Sequence, residues 1–180
     1  EGIRFVHGQE RLFLLNVNAS DLLPQRRWAP ERFAELARGM LLRWPGSLIL
    51  LTGTAPEYDY VENVRVLADR QRVLNFVGKI DFCELTALYS LADIMVTNDS
   101  GPAHFSALTC LKTIVLFGPE TPTLYSSLGN SLSIYSGLAC SPCVSAGNHR
   151  RTPCQDNICM QAISVSMVIS CVEQKMGVCE

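Results

Sequence analysis

The sequence has no surplus of either charge: 15 Lys and Arg stand against 17 Asp and Glu, a formal net charge of −2. Without a basic excess the chain lacks the charged face that nucleic-acid binding usually requires. No apolar run reaches the roughly 18 residues that a membrane-crossing helix needs. Residues 1–10 are polar and contain no apolar segment, so they do not read as a secretory leader. We expect them to be a linker or tail cut from something longer, with the folded unit at residues 11–180. Internal repeats and low-complexity tracts are absent. Charged residues make up only 18% and hydrophobic residues 48% of the 180 residues, which excludes a disordered chain and suits one globular core.

What is present is an alternation of short apolar runs with longer segments of helical period. Strands are expected at residues 12–16, 47–52, 73–77, 94–97, 113–117 and, more weakly, 132–135. Helices are expected at 30–44, 57–70, after Asp81, at 102–111, and as a closing helix at 163–175. In residues 30–44, Phe33, Leu36, Ala37, Met40 and Leu41 fall on one face, and Pro45-Gly46 stops the run. Continuously apolar strands alternating with helices imply an α/β fold: a Rossmann-like parallel sheet covered by helices on both faces. Such sheets bind ligands beyond the carboxyl ends of their strands. The loops after Asn16, Thr52, Val77, Thr97 and Phe117 should therefore line one edge and carry the chemistry.

Three of these loops hold suitable residues. Asn98-Asp99-Ser100-Gly101-Pro102-Ala103-His104 follows a strand and opens a helix. A helix start offers free N–H groups and partial positive charge, Gly101 allows close approach of a ligand, and Ser100 adds a hydroxyl, which together suit a diphosphate. Asp99 could take sugar or ribose hydroxyls, or assist a metal, and His104 could face the same phosphates. The plainer alternative is that Asp99 or Ser100 only caps the helix and His104 is a packed surface residue. Phe117-Gly118-Pro119-Glu120-Thr121-Pro122 is a rigid turn after another strand, with or without a ligand at its edge. Asn18-Ala19-Ser20 and Gln25-Arg26-Arg27-Trp28 offer a hydroxyl and guanidinium groups near a strand end, and read equally as a solvated basic loop over Trp28.

In order and spacing, from about Leu12 to Leu128, these loops resemble glycosyltransferase family 9, which contains the ADP-heptose:lipopolysaccharide heptosyltransferases. The resemblance lies in Asp99-Ser100-Gly101-x-x-His104, the apolar strand after it, and Phe117-Gly118-Pro119-Glu120-Thr121-Pro122. Arg26 to Ala37 is similar to the family's Lys-x-Trp-Pro segment. The resemblance implies one half of a GT-B fold, the C-terminal half that binds the donor. It implies that Asp99, Ser100, Gly101 and His104 contact a nucleotide-sugar, that Ala19 and Ser20 occupy the phosphate-touching hydroxyl positions, and that Arg26 balances phosphate charge. It places Glu57 near the ribose and Lys79 or Ile80 beside the base. The chain departs from the family pattern at Ala19, where a hydroxyl residue is usual, at Arg26, where lysine is usual, and at Glu120, where threonine is common.

The implied reaction is inverting transfer of a sugar, such as heptose from its ADP derivative, to a glycan or glycolipid acceptor in lipopolysaccharide or other surface-glycan synthesis. No cofactor is required, and the base is expected in the N-terminal half, so this chain alone should bind donor without transferring it. The implied location is the bacterial cytoplasm, with peripheral association of the full protein at the inner membrane. Three other readings are a nucleotide-binding module without turnover, a GT-B-type nucleotide-sugar epimerase using Asp99, Glu57 and Glu120, and a redox or zinc protein built around the cysteines.

Of the eight cysteines, Cys83 and Cys110 read as small core residues and the other six follow Leu138. Within a Cys-rich loop at residues 138–160, Cys140, Cys143, Cys154 and Cys159 are a candidate tetrahedral zinc set. Free thiols in a reducing compartment are the expected state, and no metal is expected at the donor site.

Overall fold

The computed structural model describes residues 3–177. Six strands form one all-parallel sheet in the order β3-β2-β1-β4-β5-β6. They are β1 (Leu12–Asn16), β2 (Leu48–Thr52), β3 (Val73–Asn75), β4 (Ile94–Asn98), β5 (Lys112–Phe117) and β6 (Ser131–Tyr135). The helices are α1 (Pro30–Arg43), α2 (Tyr58–Ala68), α3 (Leu85–Leu91), α4 (Gly101–Phe105), α5 (Pro122–Tyr125), α6 (Ile158–Gln161) and α7 (Val165–Met176).

Alternation along β1 shows why the sheet is covered twice. Phe13 and Leu15 join the core shared with α1, α2 and α7, whereas Leu12 and Leu14 join the core under α3 with Leu88, Tyr89 and Met95. A third cluster, Ala103, Val115 and Phe117, seats α4 against β5. All residues of β1, β2 and β4 are buried, as a strand walled on both faces requires.

The chain runs outward from β1 to β3 and then returns to place β4 on the other side of β1. That reversal makes the β1–β4 boundary the switch point, where the loops part and leave a crevice. Asn98, at the end of β4 and fully buried, stitches the two loops there: its amide donates to the Val17 and Asn18 carbonyls, each at 3.2 Å, and its Oδ1 accepts from the Trp28 N–H at 3.0 Å. Trp28 is itself fully buried and donates its indole N–H to the Ile163 carbonyl at 2.9 Å.

The structure corrects several boundaries. The helix expected at 102–111 is the five-residue α4 followed by a 3-10 turn, Ser106–Leu108. The strand expected at 73–77 ends at Asn75, whose side chain caps a turn by accepting from the Val77 N–H. Cys83 and Cys110 are exposed: Cys83 lies in the capping turn before α3 and Cys110 just ahead of β5. Of the expected tail, Glu1 and Gly2 lie outside the described residues. Phe5 packs on the core under α3, and the Glu10 carboxylate accepts from Val6 N–H at 2.8 Å. Cys179 also lies outside the described residues.

Candidate functional site

Arg26 ends a 3-10 turn, Pro24–Arg26, in the loop after β1; Asp99 follows β4; Glu120 follows β5. Three loops far apart in sequence thus meet at the carboxyl edge of the sheet. Arg26 forms a close ion pair with Glu120, its Nε lies 3.6 Å from Asp99 Oδ2, and its Nη1 donates to the Asp99 carbonyl at 3.4 Å. Asp99 and Glu120 are only 4% and 1% exposed.

At this depth the Asp99 carboxyl is costly to ionise. Burial pushes the Asp99 carboxyl up to about 7; Arg26 and Arg150 oppose the shift, and a hydrogen bond that the protonated Asp99 donates to Glu120, together with the Glu120 charge, reinforces it. Asp99 therefore keeps its proton to near neutrality, where it can donate as well as accept. Four buried polar atoms on Arg26, Asp99, Glu120 and Asn18 have no hydrogen-bond partner among the described residues: Asp99 Oδ2, Glu120 Oε1, Arg26 Nε and Asn18 Oδ1; a fifth, Ser136 Oγ, follows β6. Native interiors seldom leave such atoms unsatisfied, and each costs about 1–3 kcal/mol unless a ligand or water completes it. Three acceptors and one donor crowded together match a polyhydroxylated ligand bearing an anionic group.

The remaining expected residues lie in connections along the same edge of the sheet. Glu57 is one hydrogen bond away: its Oε1 accepts from the Asn18 amide at 2.8 Å and its Oε2 accepts from the Thr54 N–H at 2.6 Å. Ala19 is buried and its carbonyl accepts two hydrogen bonds from Arg27, at 3.0 and 2.7 Å, which sets the shape of the first loop. Ser20 is exposed, and its hydroxyl accepts from the Leu22 N–H at 3.2 Å. Ser100 is the cap residue of α4, yet its hydroxyl donates to the Asn98 carbonyl at 3.1 Å and makes no side-chain capping bond. Gly101 is exposed, and a Cβ added there would meet only the Phe105 ring, at 3.7 Å, so the space above it is open. His104 and Lys79 are exposed at the same edge without a hydrogen bond to the cluster, and Ile80 is partly buried against the core under α3.

The structure brings Cys140, Cys143 and Cys154 within electrostatic reach of Cys159, but not into the geometry of a metal site. Cys140 is exposed, Cys154 donates its thiol to the Asp156 carbonyl, Cys143 accepts from the Thr152 hydroxyl, and Cys159 is buried, with burial raising its thiol pKa. Among the described residues no group of three or more His, Cys, Asp or Glu side chains is arranged to hold a metal ion. The loop instead folds back over the site. The Cys143 and Val144 N–H groups donate to the Pro119 carbonyl at 3.0 Å each, the Ser141 hydroxyl donates to the Gly118 carbonyl, and Asn157 donates to the Arg27 carbonyl at 3.0 Å. Sequence reasoning missed this return, which brings Arg150 within 3.5 Å of Glu120. It also assigned no role to Asn18 or Asn98. For Asn98, a polar side chain at the end of an apolar strand was a readable signal; for Arg150 there was none.

A doubly wound parallel sheet with a polar centre beside its switch point defines the class: a Rossmann-like α/β domain with its ligand crevice at the carboxyl ends of the strands. Within that class, residues 6–152 match glycosyltransferase family 9 (heptosyltransferase), and the chain belongs to this family. It is 30% identical over 150 residues to lipooligosaccharide heptosyltransferase 2 of Campylobacter jejuni, covering 80% of this chain and 44% of that protein. Its fold is one half of the GT-B arrangement. It superposes on E. coli ADP-heptose lipopolysaccharide heptosyltransferase II with a TM-score of 0.74 at 18% identity, over 94% of this chain and 47% of that one. E. coli heptosyltransferase WaaC, solved with ADP, gives a TM-score of 0.66 at 22% identity, over 92% of this chain and 44% of that one. The chain thus spans less than half the length of these proteins. No helix among the described residues is long and apolar enough to cross a membrane.

Proposed function

We propose that residues 11–180 are the donor-binding unit of an inverting glycosyltransferase that takes a nucleoside diphosphate sugar, with an ADP-heptose the leading candidate. The observation that carries this reading is the set of unsatisfied buried atoms on Asp99, Glu120, Arg26 and Asn18 at the switch-point edge. Carboxyl oxygens accept sugar hydroxyls, and Arg26 offers positive charge to phosphate. The preference for ADP over other nucleotides rests on the relatives: the E. coli WaaC structure contains ADP.

In the transfer, an acceptor hydroxyl oxygen bonds to the anomeric carbon as that carbon's bond to the diphosphate breaks. The bonding pair leaves with the diphosphate, and the hydroxyl proton passes to a base in the acceptor-binding half. Arg26, with His104 and the Gly101 N–H, stabilises the charge gathering on the leaving diphosphate. That half corresponds to the part of the relatives' length that this chain does not span. The acceptor is a glycan or glycolipid of the cell surface, met in the cytoplasm at the inner face of the membrane.

Calorimetric titration of the chain with ADP, UDP, GDP and CDP tests the reading. ADP should bind more tightly than the other three, and Asp99→Ala and His104→Ala should each weaken it. A folded chain that binds none of the four nucleotides would refute it.

A further inference from the structure

Arg150 is held in an unusual way. It lies in the return of the Cys-rich loop, and it and His149 both adopt left-handed backbone conformations, φ 55° and 54°. Non-glycine residues rarely take that conformation, and each costs on the order of 1 kcal/mol unless the surroundings impose it. Here they do. The Arg150 N–H donates to the Ser145 carbonyl at 2.9 Å, and the Asn148 amide donates to the Cys143 carbonyl at 2.8 Å. Cys143 in turn is pinned to Pro119, in the turn that carries Glu120.

The guanidinium so placed stacks over the Tyr125 ring, 5.5 Å from its centroid, with its Nε 3.5 Å from Glu120 Oε1. That separation is an ion pair but not a hydrogen bond. None of the Arg150 side-chain donors has a hydrogen-bonded acceptor among the described residues, and Glu120 Oε1, in a residue 1% exposed, is likewise unsatisfied. Arg26 contrasts with it: its side chain is 13% exposed and locked onto Glu120, whereas that of Arg150 is 55% exposed. One cation is fixed at the floor of the site and the other is loosely tethered at its mouth.

We infer that Arg150 is a donor-binding residue that grips the sugar-side phosphate of the nucleoside diphosphate, leaving its loose pair with Glu120 to do so. This rests on the donor-site reading above and assigns a part of that site to the Cys-rich return. Acceptors for hydroxyls on Asp99 and Glu120 lie next to a guanidinium with unused donors, and hydroxyls next to an oxyanion are what the junction of a sugar and its phosphate presents. A guanidinium braced by an aromatic ring loses little freedom when it engages phosphate.

The test compares ADP with AMP on the folded chain and on Arg150→Ala and Arg150→Lys, by calorimetry at fixed ionic strength. Arg150→Ala should weaken ADP by about 10- to 100-fold, the range for a lost charged hydrogen bond, and leave AMP within about twofold; Arg150→Lys should retain part of the difference. ADP binding unchanged in Arg150→Ala overturns the assignment, as does an equal loss for ADP and AMP, which would mean a general field effect. If the unsubstituted chain binds neither nucleotide, the donor-site reading fails and the assignment fails with it, so the two failures are told apart by the unsubstituted chain.

Discussion

At the scale of single residues, Asp99 is the group whose chemistry the fold alters most. An unfolded Asp99 titrates near 3.8 and the folded one near 7. Between those values the folded state binds more proton than the unfolded chain. The stability this contributes is present below about pH 4 and is lost as pH rises through about 7. Asp99→Asn removes the titration without removing the side chain's bulk. We therefore expect that, from about pH 4 to about pH 8, the unsubstituted chain loses on the order of a few kcal/mol relative to Asp99→Asn in urea denaturation. Parallel stability curves for the two proteins would show that Asp99 titrates in the ordinary carboxylate range. The same proton has a functional side: near neutrality Asp99 can donate to a sugar hydroxyl as well as accept from one, whereas a full charge there beside a diphosphate would oppose binding.

At the scale of elements, the legible parts were those whose periodicity is set locally. β1, β2 and β4 read correctly because a strand buried on both faces must be apolar throughout, and α1 because its buried residues recur at helical spacing. Asp99, Glu120 and Arg26 were legible because strand-end loops fall on one edge whatever their sequence separation. The four-residue α5 and α6 were not, since one turn carries no period. Nor was the course of residues 138–157, whose placement depends on backbone bonds to Gly118, Pro119 and Arg27 that no local pattern announces. The docking of α6 shows how tight that return is. A Cβ at Gly118 would lie 2.5 Å from Met160 Sδ and 3.2 Å from Cys159 Sγ, and Met160 is only 1% exposed, so it has little room to swing away. Gly118→Ala should cost about 1–3 kcal/mol by overpacking, read as a lower midpoint in thermal denaturation. It should also expose Cys159, whose thiol would then react with a maleimide faster than in the unsubstituted chain.

At the scale of the whole molecule, the site is built almost entirely from long-range contacts. Arg26, Asp99, Glu120 and Arg150 come from four separate segments, and their juxtaposition exists only when the sheet, the first loop and the Cys-rich return are all in place. A ligand that completes the unsatisfied atoms therefore stabilises the fold as a unit, because no part of the site survives in the unfolded chain. With ADP at a hundred times its dissociation constant, mass action adds about 2.7 kcal/mol. In a domain of this size each kcal/mol raises the melting temperature by roughly 2–4 °C, so the midpoint should rise by about 5–10 °C in a single transition. Limited proteolysis provides the matching local measurement. Cleavage within residues 144–156, which hold only one 3-10 turn, Ala146–Asn148, should slow when ADP is bound, because Arg150 then ties that stretch to the ligand as well as to the Tyr125 ring. A rise in melting temperature without protection of residues 144–156 would mean that the ligand engages the sheet edge alone and that the return stands apart from it.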